Sequence, residues 1–129
     1  MLGASPASAA PANTVTPLYT NSYQCNGAMD FTNPTAGLVN MQVTSLTQMT
    51  VIIHIQGEAN ATYYPSVWSN QYYCPYSGPV ATLNPMTTNA AGVANERATV
   101  LVPGGGFYYV LAYSLTAPGS FLGTPAVAP

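Results

Sequence analysis

A chain of 129 residues fits one domain, and with 48% of its residues hydrophobic it has enough apolar side chain to bury a core. Only 3% are charged, namely Asp30, Glu58, Glu96 and Arg97, against roughly 25% in an ordinary soluble domain. A single arginine with no lysine cannot neutralise a run of phosphates, which excludes nucleic-acid binding, and the apolar content excludes the disordered class.

In chain order, residues 1–13 are mostly Ala, Ser, Pro and Gly with little to pack, and they read as a flexible leader. Ala7-Ser8-Ala9 has the small residues of a cleavage site, but no basic start or apolar centre of a signal peptide precedes it. No apolar run reaches the ~18 residues of a membrane helix, so no membrane span is expected.

Short β-rich runs then alternate with turn residues, at 14–20, 22–31, 37–46, 49–56, 61–68, 71–74 and 80–83. Alternation places Val39, Met41 and Val43 on one face, and Met49, Val51, Ile53 and Ile55 on one face of the next run, across Thr47-Gln48. These are the expected core.

Two stronger runs, 96–102 and 106–115, flank Pro103-Gly104-Gly105, whose fixed φ and permissive glycines predict a hairpin. In the second run Phe107, Tyr109, Leu111, Tyr113 and Leu115 share one face, and Tyr108, Val110, Ala112 and Ser114 the other. A sandwich strand normally turns polar towards water, so two apolar faces imply a second cover, either another subunit or the chain's own loops. Residues 117–129 return to Pro, Gly and Ala with Phe121, Leu122 and Val127 as anchors, for clipping onto a neighbour or crossing the surface. Nowhere do apolar residues repeat at helical spacing, and the fold class is all-β, an Ig-like or jelly-roll-like sandwich at 21–129 preceded by an extended segment at 1–20.

Cys25 and Cys74 form an even pair in a chain of extracellular character and are expected to be bridged, closing a long loop worth ~4 kcal/mol by chain entropy. Asn60-Ala61-Thr62 is a glycosylation sequon in a turn, which makes Asn60 the expected acceptor. With so few ionisable groups, stability is expected to be nearly flat between about pH 3 and pH 7.

The residues that carry chemistry are sparse. His54 is the only histidine, on a strand face beside Ile52 and Gln56, and reads as structural rather than as a catalytic base. Asp30, Glu58 and Glu96 form no local acid–base pair, and one His with two Cys lacks metal-site spacing, so no enzyme activity and no required cofactor are expected. Glu96 and Arg97 point to opposite strand faces, leaving Arg97 to pair across strands with Glu58 or Asp30. The aromatic cluster Tyr63, Tyr64, Trp68, Tyr72, Tyr73 and Tyr76 would suit either stacking on sugar rings or packing at a protein contact.

Tyr72-Tyr73-Cys74, with Cys25 as the earlier cysteine, resembles the Tyr-x-Cys of immunoglobulin domains, although Trp68 precedes Cys74 where that family has its tryptophan after the first cysteine. The whole profile, nearly lysine-free, rich in Tyr and Thr, with loose terminal segments, resembles the surface-filament subunits of archaea, of the thread and bundling-pilus type. That resemblance implies an extracellular cell-surface subunit whose partners are copies of itself, with glycans or cell surfaces as further partners. It also implies a terminal strand completing a neighbour's sheet, here 14–20 anchored by Val15, Leu18 and Tyr19. A secreted carbohydrate-binding module and a viral coat or spike protein are the alternatives.

Overall fold

The computed structural model describes residues 13–22, 31–69, 78–103, 106–116 and 120–129. The chain is all-β, and among the described residues there is no helix, hence none long and apolar enough to cross a membrane. Among the described residues nine strands follow one another: β1 (Asn13–Thr20), β2 (Thr35–Ser45), β3 (Gln48–Gln56), β4 (Thr62–Ser69), β5 (Ala81–Thr82), β6 (Met86–Thr87), β7 (Val93–Leu101), β8 (Tyr108–Ser114) and β9 (Phe121–Gly123).

All pair antiparallel in one sheet of order β5-β4-β8-β9-β1-β2-β3-β7, with β6 also beside β4, and the sheet is nearly closed into a barrel-like sandwich. The half β1-β2-β3-β7 meets the half containing β8 at a narrow corner, where only Tyr19↔Gly123 and Thr20↔Leu122 pair. Towards the far edges, the turn from β6 to β7 draws the halves together. The Gly57 N–H donates to the Gly92 carbonyl at 2.8 Å, and the Asn60 N–H to the Asn89 carbonyl at 3.2 Å. Asn89 Oδ1 accepts from the N–H groups of Ala91 and Val93, which fixes that turn.

The β2–β3 hairpin shows why these residues make strands. Val39 and Met41 on β2 and Met49, Val51, Ile53 and Ile55 on β3 are fully buried, as their alternation requires, with Leu46 and Thr47 at the turn. Val67 and Val110 complete this core from the opposite half, with Tyr63, Tyr108 and Leu122 nearly as deep. Gly37 sits at φ 128° against β3, paired with Ile55, where a side chain would run into the backbone of His54 and Ile55.

The hairpin expected around Pro103 does not form. β7 pairs with β3, and β8 lies between β4 and β9 in the other half, so the two strands sit in different halves and are not neighbours. The physical reason is the two-sided apolarity of β8: a strand with Tyr109 and Leu111 on one face and Tyr108, Val110 and Ala112 on the other, all buried, belongs inside a sheet rather than beside an edge strand. The cover over Tyr109 comes in part from the chain itself, since Trp68 stacks on it with ring centroids 6.2 Å apart. The closing segment does not lie loosely on the surface either. Phe121–Gly123 is β9, Leu122 enters the core, and Val127 exchanges backbone hydrogen bonds with Tyr108 at 2.8 and 2.9 Å.

Tyr63 on β4 is nearly inaccessible, and burial, reinforced by the nearby charge of Glu58, raises its phenol above the usual tyrosine value. The fold therefore holds Tyr63 neutral while an unfolded chain ionises it near pH 10. Its contribution is complete below that pH and is lost as pH rises through the folded value. The expected result is a denaturation midpoint that barely moves between about pH 3 and pH 7 and falls above about pH 10. Replacement by Phe should remove part of the alkaline fall, which a urea titration across that range would show.

Candidate assembly site

The first described strand fills an interior position. β1 lies between β2, with which it pairs from Asn13↔Gln42 to Tyr19↔Thr35, and β9. Residues 13–20 are thus built into the chain's own sheet. Of the three anchors read from the sequence, Leu18 is fully buried, Val15 lies exposed on the outer face, and Tyr19 packs edge-on to Phe31 with centroids 5.4 Å apart. Thr16, which the sequence reading passed over, is the second buried side chain of the strand.

Pro17 fits for a reason of hydrogen-bond geometry. It has no N–H to give, so its pair with Leu38 must be of the kind in which both backbones turn away from each other. On that other side β9 reaches only Tyr19 and Thr20. At the exit from β1, Thr20 and Pro34 are held by a backbone bond of 2.9 Å, and Asn33 Nδ2 donates to both the Thr20 carbonyl and Ser22 Oγ at 3.0 Å. The connection from β1 to β2 is thereby closed at its neck.

The outer face of β4, β8 and β9 carries aromatic rings. Tyr64 stands opposite Tyr113, and Tyr113 opposite Phe121 with centroids 5.9 Å apart; Trp68 stands opposite Tyr109. Tyr64 is 42% and Tyr113 48% exposed, with Leu115 beyond them more exposed still. The sequence cluster is split by this arrangement: Tyr63 turns into the core, Tyr64 and Trp68 turn out, and Tyr72, Tyr73 and Tyr76 lie outside the described residues. Two polar groups of this face are engaged within the sheet. Trp68 Nε1–H donates to Ser66 Oγ at 2.8 Å, and Ser66 Oγ–H donates to the Leu111 carbonyl at 3.2 Å.

Among the described residues the long open edge is β7, nine residues paired on one side with β3. It carries Glu96 and Arg97, two of the four charges in the chain. Directly opposite residues share a face, so Glu96, across from the buried Ile53, stands on the core side at the margin, and Arg97, across from Ile52, stands outside. A charge pointing inward on an edge strand is a recognised guard against edge-to-edge pairing. A two-fold pairing of β7 with its own copy, centred on either residue, would set Glu96 against Glu96 or Arg97 against Arg97, and directly opposed like charges are destabilising. The double replacement Glu96→Thr and Arg97→Thr is expected to raise irregular aggregation severalfold at neutral pH, read by light scattering; scattering equal to the parent chain would contradict the guard role.

The remaining candidates take their places around this frame. His54 Nδ1–H donates to Asn95 Oδ1 across the β3–β7 pair at 2.7 Å, so its orienting partner is an amide. The cross-strand ion pair expected for Arg97 is not formed among the described residues, its direct neighbour being Ile52, and Asp30 lies outside them. Asn60 is exposed in the turn before β4 at φ 54°, and Thr62 Oγ1 lies 2.9 Å from Thr87 Oγ1. Cys25 and Cys74, the expected bridge, both lie outside the described residues. Against known proteins, the chain finds no matching family model, no significant match among curated proteins and none among solved structures.

Proposed function

We propose that the chain is a structural subunit of a self-assembling extracellular filament, polymerising by exchange of β1 between β-sandwich subunits. The observation that carries this reading is the interior position of β1: the first described strand fills a slot between β2 and β9, and the same strand of another copy would fill it with identical contacts. When each copy donates to the next instead of reciprocally, the contact does not close on itself and gives a filament.

Two further features support association. The near absence of charge removes the repulsion that keeps copies apart, and the exposed Tyr64, Tyr113 and Leu115 offer an apolar face for lateral packing. A sugar site needs directional polar groups beside its stacking rings. Here Trp68 and Ser66 spend theirs inside the sheet, which favours protein packing over glycan binding. The extracellular part of the proposal rests on the even count of two cysteines, Cys25 and Cys74, and on the sequon at Asn60, and the role asks for no catalysis and no cofactor.

Negative-stain electron microscopy of natively purified material, with and without heating in detergent, tests the proposal. Long uniform filaments are expected. A monodisperse monomer would defeat it, and closed particles holding nucleic acid would point to a viral coat instead.

A further inference from the structure

The two outer faces of the sandwich differ in a complementary way. On β4, β8 and β9, Tyr64, Tyr113 and Phe121 stand directly opposite one another in turn and make a row of rings across three strands. None of the four charged residues lies in these strands. The face of an aromatic ring is electron-rich, so the row offers a negative quadrupole to whatever lies on it.

The other half carries a second row. Val15, Asn40, Ile52 and Arg97 stand opposite one another in turn across β1, β2, β3 and β7. Apolar surface surrounds it, with Val15 57% and the nearby Leu38 41% exposed. Arg97 is the only arginine of a chain without lysine. It is exposed and forms no ion pair among the described residues, while Glu96 beside it stands on the opposite face of β7. A guanidinium is weakly hydrated and planar, and one without a carboxylate partner is suited to lie on an aromatic ring. Arginine and tyrosine set in apolar surroundings are also what the centres of protein interfaces are made of.

The two rows share one spacing, because adjacent strands lie ~4.8 Å apart in both halves. When the faces are set together with the rows in line, Arg97 meets Tyr64 and Ile52 meets Tyr113. Sheets packed face to face lie about 10 Å apart, which brings the side chains of the two rows into contact. Within one chain the rows occupy opposite outer faces, so the contact joins two copies.

We infer that copies of the chain pack with the β2-β3-β7 face of one against the β4-β8-β9 face of the next, the Arg97 guanidinium lying on the rings of Tyr64 and Tyr113. The contact joins unlike faces, does not close on itself and repeats from copy to copy. The inference rests on the self-assembly reading, naming the surface that covers the exposed tyrosines, but not on which copy supplies β1.

The test is the mean mass of the full chain against concentration, by static light scattering, for the parent, Arg97→Gln, Tyr64→Leu, Tyr64→Phe and the double variant Arg97→Gln with Tyr64→Leu. Glu96 is kept throughout, so the guard on the β7 edge is not removed. Both positions are exposed, and thermal melts close to the parent's are expected for every variant. Arg97→Gln and Tyr64→Leu are each expected to weaken association about tenfold, and Tyr64→Phe, which keeps the ring, by less than about twofold. The double variant is expected to be no weaker than either single one, since both changes remove the same contact. Unchanged association in the two single variants, or losses that multiply in the double, would overturn the contact. So would a loss at Arg97 alone, which would set a carboxylate of the second copy against it. Association that follows Arg97 and Tyr64 while every β1 stays in its own chain supports the contact and defeats strand exchange. Exchanged polymers indifferent to both residues do the reverse.

Discussion

A chain lacking residues 1–20 is expected to form no polymer and to lose its cooperative fold. The deletion removes Leu18, fully buried, and Thr16, nearly so, and it strips β2 of the partner that satisfies the backbone groups of Val39 and Met41. Truncating one buried leucine alone costs about 2–5 kcal/mol, a large share of the ~5–15 kcal/mol that holds a domain together. Several unmet backbone groups add to that loss. A synthetic peptide spanning residues 13–22 should restore the near-ultraviolet signal of the truncated chain by entering the empty slot, yet it should not restore filaments, because a separate peptide links nothing. Polymers that survive the deletion would rule out β1 as the exchanged strand.

The second large effect is expected at Gly37. Its φ of 128° belongs to a region essentially reserved for glycine, and a Cβ there would meet the carbonyl of His54 and the Cα of Ile55 on the neighbouring strand. The conformation alone penalises any other residue by about 1–3 kcal/mol, and the collision with backbone, which cannot swing aside, adds to it. Gly37→Ala is therefore expected to lower stability by at least about 3 kcal/mol and Tm by on the order of 10 °C or more. Gly78 has open space around it, and Gly78→Ala should stay within about 0.5 kcal/mol of the parent. Equal thermal melts for the two variants would mean that β2 does not approach β3 as described.

The contrast between legible and illegible parts of the fold follows from the range of each signal. The alternation in β2, β3 and β8 is local and strong, so their core residues can be read from sequence. β6 and β9, of two and three residues, are too short to show a period of two, and Leu122 could be read only as an anchor without a destination. Which strand pairs with which is another matter. Pro103-Gly104-Gly105 has the chemistry of a tight turn, yet the apolar demand of β8 for neighbours on both sides outweighs it.

The same distinction applies to the candidate site. Tyr63 and Tyr64 look alike in a list of aromatics, although strand alternation already assigns them to opposite faces, and only Tyr64 reaches the surface. The pairs Trp68 with Tyr109 and Tyr113 with Phe121 depend on register between distant strands and have no local signature. The opposite faces of Glu96 and Arg97 were legible from adjacency, but their position on the open edge was not, and that position is what gives the two charges a role.

The central claim, that β1 is exchanged between copies, is tested most directly by a covalent trap. Val15 and Asn40 stand directly opposite each other on β1 and β2, in the phase of Pro17 where the backbones turn away and Cα atoms approach to about 4.5 Å, close enough for a disulfide. In the double variant Val15→Cys and Asn40→Cys, oxidised after assembly and compared with the parent chain on a non-reducing denaturing gel, exchange predicts a ladder of covalent multimers that collapses on reduction. A single monomeric band carrying the new bridge would show that each β1 stays in its own chain and would contradict the account.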